Sequence, residues 1–208
     1  MNLNKAAMFG LDARIALAIF GALSVISGAA LYSAIQTAKV ESTRQGFEEI
    51  LKAVDAFYLD NGYPIPQFNT ELLYLSDIIN NRQSLSSWNG PYINASVSGT
   101  YAIKNDITEK LGSTVVTYAY LQKDTVWSGS SARYPCTAVN NVNCRESLLV
   151  RAVSDTDDSS RIEELFNNMD SIIDNGDGAN LGNIRFSDYG SSGNASLTYF
   201  GRKRLRTQ

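Results

Sequence analysis

The chain contains no histidine. That absence removes Ser-His-Asp and Cys-His catalysis, His-ligated zinc and HExxH metal chemistry. Cysteine is scarce as well: Cys136 and Cys144, in the segment PCTAVNNVNC, are the only two among 208 residues. Proline is limited to four, and none lies between Ile15 and Asp60, so nothing in that stretch removes a helical hydrogen bond. Neither charge prevails, with 18 Lys and Arg against 21 Asp and Glu for a formal net charge of -3. There is thus no basic excess to point at nucleic acid as a partner. Serines stand beside glycines in ASVSGTY and WSGSSARY, but not in the spacing of a nucleophile elbow. Paired carboxylates of the sort a glycosidase uses are present in any acidic protein. Enzyme chemistry is therefore the weakest reading, and a structural or binding role the stronger.

What the sequence does have is one long apolar run near its start. Ile15 to Ala38 is 24 residues without a charge, behind a short head carrying Lys5 and Arg14. As a helix it is about 36 Å long at ~1.5 Å per residue, enough for a bilayer core of roughly 30 Å. Gly21, Ser24, Ser27, Gly28 and Ala29 give it narrow faces suited to close helix packing. Cations ahead of the run predict a cytoplasmic N-terminus and an exported body. A secretory signal is the rival, since SGA and YSA are small-x-small patterns a signal peptidase could cut. In an exported body Cys136 and Cys144 read as a local disulfide that pins a loop; in a cytosolic one they read as free thiols.

The sequence after the run argues for one continuous helix. Phe47, Ile50, Leu51, Val54, Phe57 and Tyr58 recur in steps of three and four, the stripe of a helix buried on one side. Gly62 and Pro64 in DNGYPIP stop it. The expectation is a helix over 11–61, with 15–38 spanning the membrane and 62–208 forming a globular head. Strands are predicted over 100–104, 113–123, 147–154, 183–189 and 196–200, from runs rich in Val, Tyr, Thr and Phe between Gly, Asn and Ser clusters. The segment 70–81 reads as a short helix or irregular packing segment. A second helix is marked at SSRIEELFNNMDSII, where Ser160 and Glu163 fit a capping box, Asp157 and Asp158 suit the N-terminus, and Ile162, Leu165, Phe166, Met169 and Ile173 form the buried stripe. The fold class is α+β: an antiparallel sheet wrapped on the amphipathic half of the long helix.

Three segments carry a resemblance: the Lys-containing leader MNLNKAAMFG ending in Gly10, the helix end AFYLDNGYPIP, and SSWNGPYI over 86–93. With these the chain resembles the type IV pilin and type II secretion pseudopilin superfamily; IIDNGDGANLGNIRF is also similar to a late turn-and-strand segment of some minor pilins. The resemblance implies a pilin-like fold and cleavage after Gly10 by a prepilin peptidase, leaving Leu11 as the first mature residue. It implies assembly through the N-terminal helix, around Asp12, Arg14, Ile15, Gly21, Ser24 and Gly28, into a pilus or secretion pseudopilus. Its partners are other pilin-like subunits, the peptidase, platform and motor proteins, and membrane lipid before assembly, with no nucleic acid. Location follows: the bacterial inner membrane in a single pass with the head in the periplasm, then a fibre. The family's hallmark glutamate, fifth after the cleavage glycine, is replaced here by Ile15. Asp12 takes its place, or the subunit sits at a fibre tip, or processing differs.

Asp174, Asp177 and Asn180 in DNGDGAN, with Asp170 one turn earlier, offer oxygen ligands for calcium, and some pseudopilins of the resembled family bind calcium in a late loop. The order of an EF-hand loop is missing, however, and Asn-Gly and Asp-Gly after a helix are turn formers. Turn is the first reading and calcium the alternative; no other cofactor is expected. Trp88, Tyr92, Trp127 and Tyr134 offer an aromatic surface for sugar or another subunit; Trp88 and Tyr92 read instead as core and turn anchors, and Trp127, in the loop before the cysteines, as the exposed one. The tail residues Arg202, Lys203, Arg204 and Arg206 read as a solvated end, with an anionic surface as the alternative. NAS occurs at Asn94 and Asn194.

Overall fold

The computed structural model describes residues 3–69, 71–123, 144–153, 155–188 and 194–201, with the side chains of 3–9, 11, 123 and 144 outside the description. Readings that concern Trp127, Tyr134, Cys136 and the tail 202–208 lie outside these residues, and Cys144 is described in its backbone alone. The chain forms two compact units, Met1–Lys39 and Val40–Gln208.

The first element is α1, Leu3–Asn61. It begins ahead of the expected start at 11 and runs through Gly10 without a break. It ends where the sequence placed the stop: Gly62 adopts φ +74° and donates its N–H to the Tyr58 carbonyl at 2.8 Å. Left-handed backbone there suits glycine, and Pro64 cannot continue the helix.

In the second unit, α1 contributes its apolar stripe to the core. Phe47, Ile50 and Phe57 are fully buried, with Val54 and Leu51 nearly so. A short 3-10 turn, Leu75–Ile78, follows, matching the irregular segment expected over 70–81. Six strands then form one sheet in the order β1-β2-β3-β4-β6-β5, every neighbouring pair antiparallel. They are β1 Ser96–Ser98, β2 Ala102–Lys104, β3 Val116–Lys123, β4 Cys144–Arg151, β5 Ile184–Asp188 and β6 Ala195–Phe200. Two helices complete the unit, α2 Asp106–Leu111 and α3 Thr156–Ile173. The chain is thus α+β, a long helix with an apolar N-terminal part and a six-stranded antiparallel sheet.

One face of the sheet packs on the helices. Ala119, Leu121, Leu148, Val150, Leu197 and Tyr199 join α1 and α3 in a single apolar core. Phe47 of α1 stacks on Tyr199 of β6 at 4.9 Å, and Phe166 of α3 stacks on Phe186 of β5 at 5.2 Å. The Tyr199 hydroxyl donates to Glu48 Oε1 at 2.6 Å. Burial, and after it the bond to Glu48, pushes this phenol above its ordinary range.

Two elements escaped the sequence reading. β1 is three residues long with two serines, and α2 is six residues long, too short to show a period. α2 exists because Asn105 and Thr108 form a reciprocal capping box, which satisfies two otherwise orphaned N–H groups. The start of α3 also differs. Its N-cap is Asp155, whose Oδ1 accepts from Asp157 N at 2.9 Å and Asp158 N at 3.0 Å. Ser160, expected to open a capping box, lies inside the helix and donates to the Thr156 carbonyl at 2.9 Å. The true cap is five residues earlier because an aspartate that reaches two N–H groups at once ends the chain's extended path first.

Candidate functional site

Three places carry the chain's distinctive chemistry: the apolar part of α1, the end of α1, and the loop after α3.

In the first unit the helix presents its apolar side chains outward. Ile15, Leu17, Ile19, Phe20, Leu23, Val25 and Ile26 are all exposed, Phe20 by 70%. By length and composition, Asp12–Asn61 within α1 qualifies to cross a membrane, and its most apolar stretch has no buried residue. Two of its hydroxyls are satisfied within the helix: Ser24 Oγ donates to the Phe20 carbonyl at 2.8 Å and Thr37 Oγ1 to the Ser33 carbonyl at 3.1 Å. Such back-bonding removes the cost of placing a hydroxyl in hydrocarbon. Gly21, Ser24 and Gly28 fall at i, i+3 and i+7 and so share one side, and a Cβ added at Gly21 or Gly28 would meet nothing within 4 Å. Asp12, Arg14 and Ile15 are exposed on the same helix, as is Gly10. Leu11 is helical in its backbone.

At the other end of α1, two segments that stand apart in the sequence, 56–66 and 86–93, come together. Trp88 Nε1 donates to the Asp77 carbonyl at 2.9 Å, and its ring meets Tyr92 edge-on at 5.7 Å. Tyr92 in turn packs edge-on against Phe57 at 6.1 Å and donates its hydroxyl to Asp60 Oδ2 at 2.8 Å. Ser87 Oγ donates to Asn61 Oδ1 at 2.7 Å, while Asn61 Nδ2 donates to the Phe57 carbonyl at 2.9 Å. The WNGPY segment therefore clasps the last turn of the long helix and satisfies polar groups its end exposes. Trp88 and Tyr92 are anchors, as the sequence indicated. Beside them Asp77, almost fully buried, accepts from Arg82 Nε at 2.9 Å and Nη2 at 3.0 Å. That ion pair has no signature in the sequence, because its partners sit in a turn with no periodicity.

In the last turn of α3 and the loop after it, the carboxylates of Asp170, Asp174 and Asp177 bring one oxygen each within 4.8 Å of one another. All three were among the oxygen donors expected from the sequence; the fourth, Asn180, has its Oδ1 buried and without a hydrogen-bond partner. The cluster also organises the loop as a turn. Asp174 Oδ2 accepts from Asn183 N and Ile184 N, each at 2.6 Å, and Asp170 accepts from Gly178 N at 3.3 Å. Burial pushes the Asp170 carboxyl above its usual range, opposed by the Gly178 N–H and reinforced by Asp177 and Asp174. A divalent cation with oxygen ligands would relieve the same repulsion.

A stability consequence follows. The folded-state pKa of Asp170 lies above its unfolded value, so protonation favours the fold. The contribution is complete below the unfolded pKa and is lost as pH rises through the folded one. Asp170→Asn should therefore raise the thermal midpoint at neutral pH and flatten its fall between acid and neutral pH. Thermal melts of the full chain in detergent at the two pH values check this; a lower neutral midpoint in the variant would contradict it.

Set against known protein families, curated proteins and solved structures, the chain gives no match. What its own geometry defines is a class: an α+β head whose core includes one part of a helix, the other part of that helix being apolar and uncovered.

Proposed function

We propose that the chain is a structural subunit of the type IV pilin and type II secretion pseudopilin kind, which assembles through the N-terminal part of α1. The observation that carries this reading is the division of labour along one helix. Phe47, Ile50 and Phe57 are core of the head, whereas Leu17, Phe20, Leu23 and Ile26 are exposed. Apolar surface on that scale is stable only in lipid or against other helices. The helix rests in the inner membrane with the head on the far side, a prepilin peptidase removes residues 1–10, and copies then exchange lipid for one another along the side bearing Gly21, Ser24 and Gly28. The work comes from motor and platform proteins, so the subunit uses no active site. The clasp of WNGPY on the end of α1 supports the same reading, since a helix that transmits force needs its C-terminal turn fixed to the head.

Replacing Gly10 by valine tests the maturation step. In a host carrying the peptidase, wild-type chain should appear by mass spectrometry without residues 1–10 and the Gly10→Val chain at full length. Mature-length protein from the variant would overturn peptidase processing at that glycine.

Ile15 favours a second reading. Where the resembled family carries a glutamate to pair with a neighbour's α-amino group, this chain has an apolar residue, 51% exposed. That suits a monomeric binding protein or adhesin on an uncleaved anchor. Cysteine cross-linking along 15–38 in membranes separates the two: ordered multimers support assembly, and monomers support the anchor.

A further inference from the structure

The chain contains three Asn-Gly pairs, Asn61–Gly62, Asn89–Gly90 and Asn175–Gly176, and the structure treats them unequally. Asn-Gly is the sequence most open to spontaneous deamidation, because glycine offers no side chain to hinder attack by its own amide nitrogen. The reaction needs that nitrogen free. Gly62 N is committed to the Tyr58 carbonyl at 2.8 Å, and Gly176 N to the Asp170 carbonyl at 3.0 Å. Both bonds close the last turn of a helix, so freeing either nitrogen means unwinding that turn. The Asn61 side chain is held twice over, by Phe57 and Ser87. Gly90 N has no hydrogen-bond acceptor among the described residues. Asn89 is exposed, and its amide makes one long bond, Nδ2 to the Ser87 carbonyl at 3.3 Å.

We infer that Asn89 is the modification site of this protein, where the folded chain deamidates ahead of its other Asn-Gly pairs. The Gly90 nitrogen attacks Asn89 Cγ, the C–N bond of the side-chain amide breaks, and ammonia leaves with the proton from Gly90. Water then opens the cyclic imide at either carbonyl and regenerates the Gly90 N–H. The product is aspartate, or isoaspartate with the main chain rerouted through Cβ. No oxidant or cofactor enters.

The site lies in the clasp. Asn89 N donates to the Tyr92 hydroxyl oxygen at 3.1 Å, and that hydroxyl donates to Asp60. A carboxylate at 89 places like charge near Asp60, and isoaspartate adds a backbone atom between Trp88 and Tyr92. Deamidation therefore loosens the hold of the clasp on the end of α1.

The test is ageing of the full chain in detergent, in mildly alkaline buffer at body temperature, followed by tryptic mass spectrometry. The three pairs fall on three peptides, 53–82, 83–104 and 162–185, as cleavage after Lys52, Arg82, Lys104, Arg161 and Arg185 produces. The expected result is a gain of about 1 Da in 83–104, placed on Asn89 by fragmentation. It should run about tenfold or more ahead of the other two, the scale set by the backbone bonds that hold them. In denaturant those bonds vanish and all three peptides should gain mass together. Asn89→Gln removes the gain from 83–104. Earlier gain at Asn61 or Asn175, persistence of the gain in Asn89→Gln, or no gain at Asn89 in the folded chain while the denatured one reacts would each overturn the inference.

Discussion

Phe57→Ala is expected to lower the unfolding free energy of the head by about 3–5 kcal/mol, the range for deleting a buried aromatic ring. Phe57 is fully buried and stands at the junction of two structures. Its ring meets Tyr63 edge-on and Tyr92 edge-on, each at 6.1 Å, so the deletion removes two aromatic contacts as well as apolar area. It also leaves a void beneath the turn that Gly62 closes, where the surroundings are held by the Tyr92–Asp60 and Ser87–Asn61 bonds and collapse poorly. Urea denaturation of the full chain in detergent, followed by circular dichroism, measures this. A loss below about 1 kcal/mol would mean that Phe57 does not tie the helix end to the head. Tyr92→Phe offers the milder comparison: it keeps the ring and removes the hydroxyl, with an expected cost of about 1 kcal/mol.

Gly112→Ala is the second large effect, about 2–4 kcal/mol from backbone strain and broken polar contacts together. Gly112 adopts φ +157°, and an added Cβ would lie 1.8 Å from Asp158 Oδ1 and 2.0 Å from its Cγ. Asp158 has little room to retreat. It is buried, accepts from Thr114 N at 3.0 Å and Thr114 Oγ1 at 2.7 Å, and pairs with Arg161 at 2.9 Å. Together these bonds brace the first turn of α3 against the turn between α2 and β3. The methyl group either expels the carboxylate or shifts that turn. A double-mutant cycle separates the two causes: if collision dominates, Gly112→Ala combined with Asp158→Ala should cost clearly less than the two single changes added. Additive costs would assign the effect to backbone strain alone.

Asp158 also shows how a residue can be read correctly in one role and missed in another. The sequence placed it at a helix N-terminus, and it is there, in the first turn of α3. Its second role, forty-four residues back along the chain at Thr114, has no local signal. The same holds for Trp88 and Tyr92. As a short motif they read as anchors, but what they hold lies elsewhere in the chain: Asp60 and Phe57 for Tyr92, and the Asp77 carbonyl for Trp88. In the sequence Asp170 is a neighbour of DNGDGAN, one turn earlier; the curl of the chain after Ile173 places its carboxylate beside those of Asp174 and Asp177.

Local periodicity was sufficient for a good deal. The stripe from Phe47 to Phe57 and the apolar side of α3 follow from spacings of three and four, because each depends on which side of one helix meets the core; the stop at Asn61 follows from Gly62 and Pro64, and β3, β5 and β6 from runs rich in Val, Tyr, Thr and Phe between turn residues. The uncharged run from Ile15 to Ala38 likewise needs no fold to be recognised as apolar all round. Contacts between distant segments were settled by tertiary structure alone: the clasp on the end of α1, the Gly112–Asp158 brace and the Tyr199–Glu48 bond. Each depends on loops of particular length closing over the helix and the sheet, and closure energy is a property of the whole path rather than of any residue in it. Even where identical dipeptides recur, as in the three Asn-Gly pairs, the sequence assigns them one chemistry. The hydrogen bond that each glycine makes, or lacks, divides them.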